Sequence, residues 1–113
     1  MIYEKHLQNK WYQLIKDGKK TVEGRLNKSD FSKMVIGDII KFYSNKDKSD
    51  MFSVIVTSKK EYKTFKDMIR TEKLKNVLPT IRTIKEGVDI YHSIYPEKDE
   101  ETWGVVAIRV SLL

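Results

Sequence analysis

The chain has 113 residues and no cysteine, and its 22 lysines and arginines against 16 aspartates and glutamates leave a net charge of +6. That is the length of one ordinary domain with a hydrophobic core of its own, and 40% hydrophobic with 34% charged residues marks a globular rather than a disordered chain. Disulfides, thiolate metal sites and a thiol nucleophile are excluded; Met1–Lys10 lacks the apolar stretch of a secretory signal and no apolar run approaches the roughly 18 residues that span a bilayer, so one soluble cytoplasmic domain over residues 1–113 is expected.

Leu7, Trp11, Leu14 and Ile15 share one helical face, and Gly18 is a natural stop, so a helix is predicted over about residues 7–17. Thr21 to Leu26 alternates as a half-buried strand does, with Val22, Gly24 and Leu26 on one side and Thr21, Glu23 and Arg25 on the other. Residues 27–33 are polar and read as a loop. Ile36-Gly37-Asp38 is a turn into a strand over Ile39–Tyr43, and a polar hairpin loop over Asn45–Asp50 leads to a second strand, Met51–Thr57. Thr64 caps a helix with Phe65, Met68 and Ile69 on its apolar side, and Leu74, Val77 and Leu78 suggest a short continuation ending at Pro79. Thr83-x-x-Glu86 is a capping box before Val88, Ile90, Tyr91, Ile94 and Tyr95, with Pro96 as the stop. An acidic loop then leads to an apolar closing strand, Trp103 to Leu113. Strands with flanking capped helices imply an α+β domain or small barrel.

Charge is unevenly spread. Nine basic and three acidic residues lie between Lys59 and Lys85, whereas Glu86 to Glu101 holds six acidic residues and one basic. The basic stretch is either a set of solvated helix faces or a wall beside a phosphate backbone.

The segment Lys16 to Leu26 concentrates candidate chemistry at a helix exit and the start of a strand. Strand residues two apart share a face at about 7 Å, so Thr21, Glu23 and Arg25 would project together, with Lys20 at the turn before them. A carboxylate between a guanidinium and an ammonium stays ionised and can aim the arginine fork at a phosphate or base edge. A desolvated lysine there could also act as a base. The plainer reading of the same pattern is a surface strand whose alternating charges pair across strands.

Gly18-x-Lys20-x-x-Glu23-x-Arg25 matches the GxKxxExR signature of ASCH domains, and the resemblance continues along the chain. Val35 to Phe42 is similar to the family's "GD-I-F" strand, Tyr62 to Phe65 followed by Leu78-Pro79 to its central helical segment, and Gly87 to Ile108 to its last helix and closing strand. The resemblance implies a PUA-like β-barrel with helices at its ends and a cleft that takes RNA or a modified nucleoside. It implies Lys20, Glu23 and Arg25 as cleft residues. Some small ASCH proteins remove the acyl group of N4-acetylcytidine with a lysine, a threonine three residues later and a distant glutamate; here the threonine position is Glu23, and Thr21 is the nearest hydroxyl. Others are linked to ribonuclease activity.

His6 and His92 have no ligand spacing, so no metal site and no cofactor is expected. Trp11 lies on an apolar helix face and is assigned to the core, whereas Trp103, after the acidic loop, is a candidate to stack on a base. Two functions follow as expectations. One is an RNA- or nucleotide-binding module with Lys20, Glu23, Arg25 and Trp103 as ligand contacts. The other is a small hydrolase of an acylated nucleoside or of RNA, with Lys20 and Glu23 as catalytic residues and Thr21 beside them.

Overall fold

The computed structural model describes residues 1–113. The chain opens with a strand, β1 (Ile2–Leu7), which the sequence did not signal. Its middle residues, Glu4 and Lys5, are charged, so no apolar alternation marks it; parallel pairing with β3 (Ile39–Ser44) makes the strand. Leu7 therefore ends β1, and α1 (Asn9–Lys16) starts two residues later than predicted. The next strand, β2 (Val22–Leu26), lies where alternation placed it, except that Thr21 falls just before it.

Residues 29–33 form a short helix, α2 (Ser29–Lys33), instead of the expected loop. The fourth strand, β4 (Met51–Tyr62), runs five residues past the predicted end, with a register irregularity between Val56 and Ser58. Its second half is polar, and pairing with the closing strand β5 (Val105–Leu112) sustains it. The Thr64 and Thr83 caps form as read: their hydroxyl oxygens accept from the Asp67 and Glu86 amides at the starts of α3 (Phe65–Glu72) and α5 (Ile84–Ile94). Between them lies α4 (Leu74–Val77). The acidic segment expected as a loop is α6 (Glu97–Trp103), whose first turn carries Glu97, Asp99 and Glu100, where the helix dipole favours negative charge.

All five strands form one sheet in the order β1-β3-β4-β5-β2, antiparallel except for β1 with β3. The sheet curls into a PUA-like half-barrel. β5 shows how the core divides: Val106, Ile108 and Val110 point into a cluster with Tyr12, Phe42 and Val54, while Val105 and Ala107 point into a second cluster with Phe65, Met68 and Tyr91. One strand thus serves two cores by simple period-two alternation. The curl brings the free edges, β1 and β2, to a common cavity.

Candidate functional site

The site begins with β2. Val22 and Leu26 turn toward the helices α3 and α5 and fix the strand in the second core. Glu23, between them, is 5% exposed. Its Oε1 lies 3.6 Å from Lys20 Nζ and its Oε2 accepts from Arg25 at 3.4 Å. The carboxylate is therefore flanked by both cations, as the sequence pattern suggested.

Lys20 is 2% exposed, and its ammonium is engaged by backbone. It donates to the Val22 carbonyl at 2.6 Å and to the Val77 carbonyl at 2.5 Å. Burial lowers its pKa, and the attraction of Glu23 works against that shift. Arg25 is half-buried, with its guanidinium carbon 4.5 Å from the centroid of the Phe31 ring.

Glu23, Gly24 and Arg25 form one wall of a cavity of about 190 Å³ that Lys20 also borders. Aromatic side chains supply much of the rest: Trp11 from α1, Tyr91 from α5, and Tyr95 just beyond it. Burial raises the Tyr95 phenol's pKa, and neighbouring Arg25 pulls against the rise. On the β1 side, His6, Gln8 and Asn45 line the cavity with exposed side chains, and those of Gln8 and Asn45 make no hydrogen bond within the protein. Their backbone is nonetheless fixed. The Asn45 amide donates to the Leu7 carbonyl at 2.8 Å, and the buried Ser44 hydroxyl donates to Asn9 and accepts from the Lys46 amide. An aromatic wall, an arginine fork and unspent amides are the parts that bind a planar, hydrogen-bonding ligand.

Several sequence expectations change here. Trp11, assigned to the core, does pack against the second core, half-buried, but it also forms a cavity wall, with Lys10 and Lys20 ammoniums 4.8 and 5.9 Å from its ring. Trp103 stands outside the cavity: it ends α6, about half exposed, with Lys28 near its ring, because the helix runs through it and Gly104, at φ 71°, turns the chain before β5. Thr21 lies opposite Val110 of β5, on the side of the sheet that Glu23 shares, but it does not line the main cavity. β2 starts after it, its amide is bound to the Asn76 carbonyl, and it borders a separate cavity with Ile15 and Ser111. None of the nine basic residues between Lys59 and Lys85 lines the main cavity. Lys59 is committed elsewhere, donating to the Ser32 and Met34 carbonyls at 2.7 and 2.8 Å. Sequence reasoning missed His6, Gln8 and Asn45 because only the curl of the sheet brings the end of β1 to β2. Tyr95 reads in sequence as one more apolar helix position, although its spacing from Tyr91 does put both on one helical face.

His6 stacks on Tyr43 and His92 sits between Glu97 and Glu100. No group of three or more His, Asp or Glu side chains is gathered as metal ligands would be. No helix is long and apolar enough to cross a membrane.

A PUA-like half-barrel carrying this motif on its edge strand is the architecture of an ASCH domain. The chain belongs to the ASCH domain family, whose model matches residues 6–113. Two solved structures are similar to it over their lengths. The crystal structure of the hypothetical protein PH0355 is 39% identical, with all of both chains covered and a TM-score of 0.91. The solution NMR structure of protein PF0455 from Pyrococcus furiosus is 37% identical, covering 100% of this chain and 98% of that one, with a TM-score of 0.82. No curated protein matches the chain.

Proposed function

We propose that the chain binds RNA, or a nucleotide or nucleoside unit of it, in the cavity between β1 and β2. The observation that carries this reading is the Glu23–Arg25 pair set in one cavity wall with Trp11, Tyr91 and Tyr95. Aromatic faces stack on an unpaired base, the arginine fork donates to base or phosphate oxygens, and a carboxylate accepts from a base amino group. The exposed cations outside the cavity supply attraction to phosphate without sequence preference. Lys20 is the support of the site: with its donors turned to Val22, Val77 and Glu23, it holds the carboxylate and leaves ligand contact to Arg25. The test is titration of wild type, Arg25→Ala and Arg25→Lys with short single-stranded RNAs at two salt concentrations. Arg25→Ala should lose roughly 1–3 kcal/mol and discriminate less between ligands. Arg25→Lys should recover little, because an ammonium lacks the planar fork. Wild-type affinity in Arg25→Ala would remove the reading.

A buried lysine with a lowered pKa beside a carboxylate also supports a second reading, a small hydrolase with Lys20 and Glu23 as the proton-transfer pair. Turnover of N4-acetylcytidine, or cleavage of a mixed RNA pool that is lost in Glu23→Gln, would establish it. Saturable binding without product favours the module.

A further inference from the structure

The gap between the two edge strands is bridged by α2, and this five-residue helix is tied down from several sides. Its first residue, Ser29, has φ 53°, a left-handed conformation that a non-glycine side chain adopts only when its surroundings impose it. Lys59 of β4 reaches up to its last turn and holds the Ser32 carbonyl and, just beyond, that of Met34. Lys5 of β1 donates to Asp30 at 2.7 Å. Phe31, 5% exposed, is packed into the first core. Its ring meets a cation from each edge strand: Lys5 Nζ lies 5.3 Å from the centroid, and Arg25 Cζ lies 4.5 Å away.

We infer that Phe31 is a positioning residue for Arg25, and that α2 is the strap that holds it in place. The long contact to Glu23, at 3.4 Å, and the neighbouring Tyr95 phenol hold the edge of the guanidinium. The Phe31 ring, with the guanidinium carbon 4.5 Å from its centroid, restricts the rotation that those edge contacts leave. An arginine side chain is rich in rotamers, so a fork ordered before the ligand arrives loses less entropy on binding. The strain at Ser29 and the lysine at the far end of α2 make sense as the means of holding one ring still. The binding consequence rests on the reading of the cavity as an RNA or nucleotide site; the ordering of Arg25 does not.

The test separates the two. In the ligand-free protein, the NMR signal of the Arg25 side-chain Nε–H should be ring-current shifted and slow to exchange with water. Phe31→Leu keeps an apolar plug but removes the face, so the signal should move and exchange faster; Phe31→Tyr should preserve it. Should Phe31→Leu fail to fold, Phe31→Met serves in its place. With homopolymeric single-stranded oligoribonucleotides of the four bases as probes, Phe31→Leu should weaken the preferred one about fivefold to thirtyfold, the range of a cation–π contact of 1–2 kcal/mol. It should leave the salt dependence unchanged, and in an Arg25→Ala background it should cost nothing further. An unmoved Arg25 signal in Phe31→Leu, or losses that add in full on top of Arg25→Ala, would overturn the inference. If wild type binds none of the probes, the functional reading falls, and the Arg25 signal alone decides the role of Phe31.

Discussion

Lys20 Nζ donates to the backbone carbonyl of Val77 at 2.5 Å, joining the approach to β2 to the end of α4 across 57 positions of sequence. The same ammonium holds the outward carbonyl of Val22 and faces Glu23. An ammonium has three donors, so Lys20 is a bolt between strand, helix and site carboxylate. Lys20→Met keeps the stem and removes the charge. It leaves two buried carbonyls without a donor and Glu23 with Arg25 alone. The expected loss is about 3–5 kcal/mol in urea unfolding, the usual consequence of breaking a buried pair from one side. A Lys20→Met protein as stable as wild type would mean that water replaces the ammonium and that the bolt is unnecessary.

Gly24 sits between Glu23 and Arg25 with no room for a side chain. A Cβ there would lie 2.5 Å from Met68 Cε and 2.8 Å from the Tyr91 hydroxyl. The methionine tip can move, but Tyr91 is 5% exposed and stacks on Phe65 at 4.3 Å, so its ring is confined. Gly24→Ala should therefore destabilise by about 1–3 kcal/mol, the ordinary range for overpacking. It should also push Tyr91 within the cavity wall, so binding of any base-sized ligand should weaken together with thermal stability. Met68→Ala in the same chain opens space and should restore part of the lost binding; an additive, unrescued double mutant would place the clash elsewhere.

Alkaline pH should unfold this protein through its tyrosines. All six are raised above the ordinary phenol value. Tyr12 and Tyr62 are pushed up to about 12, by burial first and then by hydrogen bonds to Asp50 and Glu72 respectively, and Tyr43 is raised chiefly by its hydrogen bond to Glu4. Unfolded tyrosines ionise near 10. Between these values the unfolded chain has released protons that the native chain retains, so stability falls as pH rises. The contribution is complete below pH 10 and is lost as pH passes about 12. Lys20 acts in the opposite sense in its own window: its lowered pKa makes the unfolded chain the tighter proton binder up to about 10.5, so its contribution rises with pH there. Native phenolate absorbance should lag behind that of the unfolded chain across pH 10 to 12, and Tyr62→Phe should flatten the alkaline fall in stability. Coincident native and unfolded titrations would contradict the assignment.

What the sequence made legible was local. The Thr64 and Thr83 caps, the alternation through Val22, Gly24 and Leu26, and the Lys20-x-x-Glu23-x-Arg25 spacing each lie within a few residues, where hydrogen-bond reach and side-chain period decide the outcome. What stayed hidden depends on distant partners. β1 carries Glu4 and Lys5 in its middle and exists because β3 pairs with it. Lys59 reads as one more surface cation, until the fold shows it holding two carbonyls near residue 33. Gln8 and Asn45 become cavity residues only when the sheet curls. Trp103 lies on the helix side of a boundary that sequence alone leaves open, because the acidic run before it favours a helix start as much as a loop.

The basic stretch separates into structural and electrostatic members, and salt dependence should tell them apart. Lys60, Lys63, Lys66, Arg70, Lys73, Lys75 and Arg82 make no ion pair, and all but one of the ammoniums and guanidiniums that do pair in this chain belong to other segments. Lys66 and Arg70 lie four residues apart on α3, both exposed, and so occupy one face. If they neutralise RNA phosphates, Lys66→Gln with Arg70→Gln should reduce the slope of log affinity against log salt by about 0.7 per charge for a single strand. The loss should be equal for every RNA sequence, because phosphate carries no base information. Lys59→Gln should behave differently. It frees the far end of α2, so it should lower stability and blunt discrimination between bases through Arg25, with little change in slope. Titrations of the double variant and of Lys59→Gln at several salt concentrations would show it. A Lys59→Gln protein that loses slope as Lys66→Gln does, and keeps its discrimination, would return Lys59 to the phosphate wall and leave α2 without its anchor's functional role.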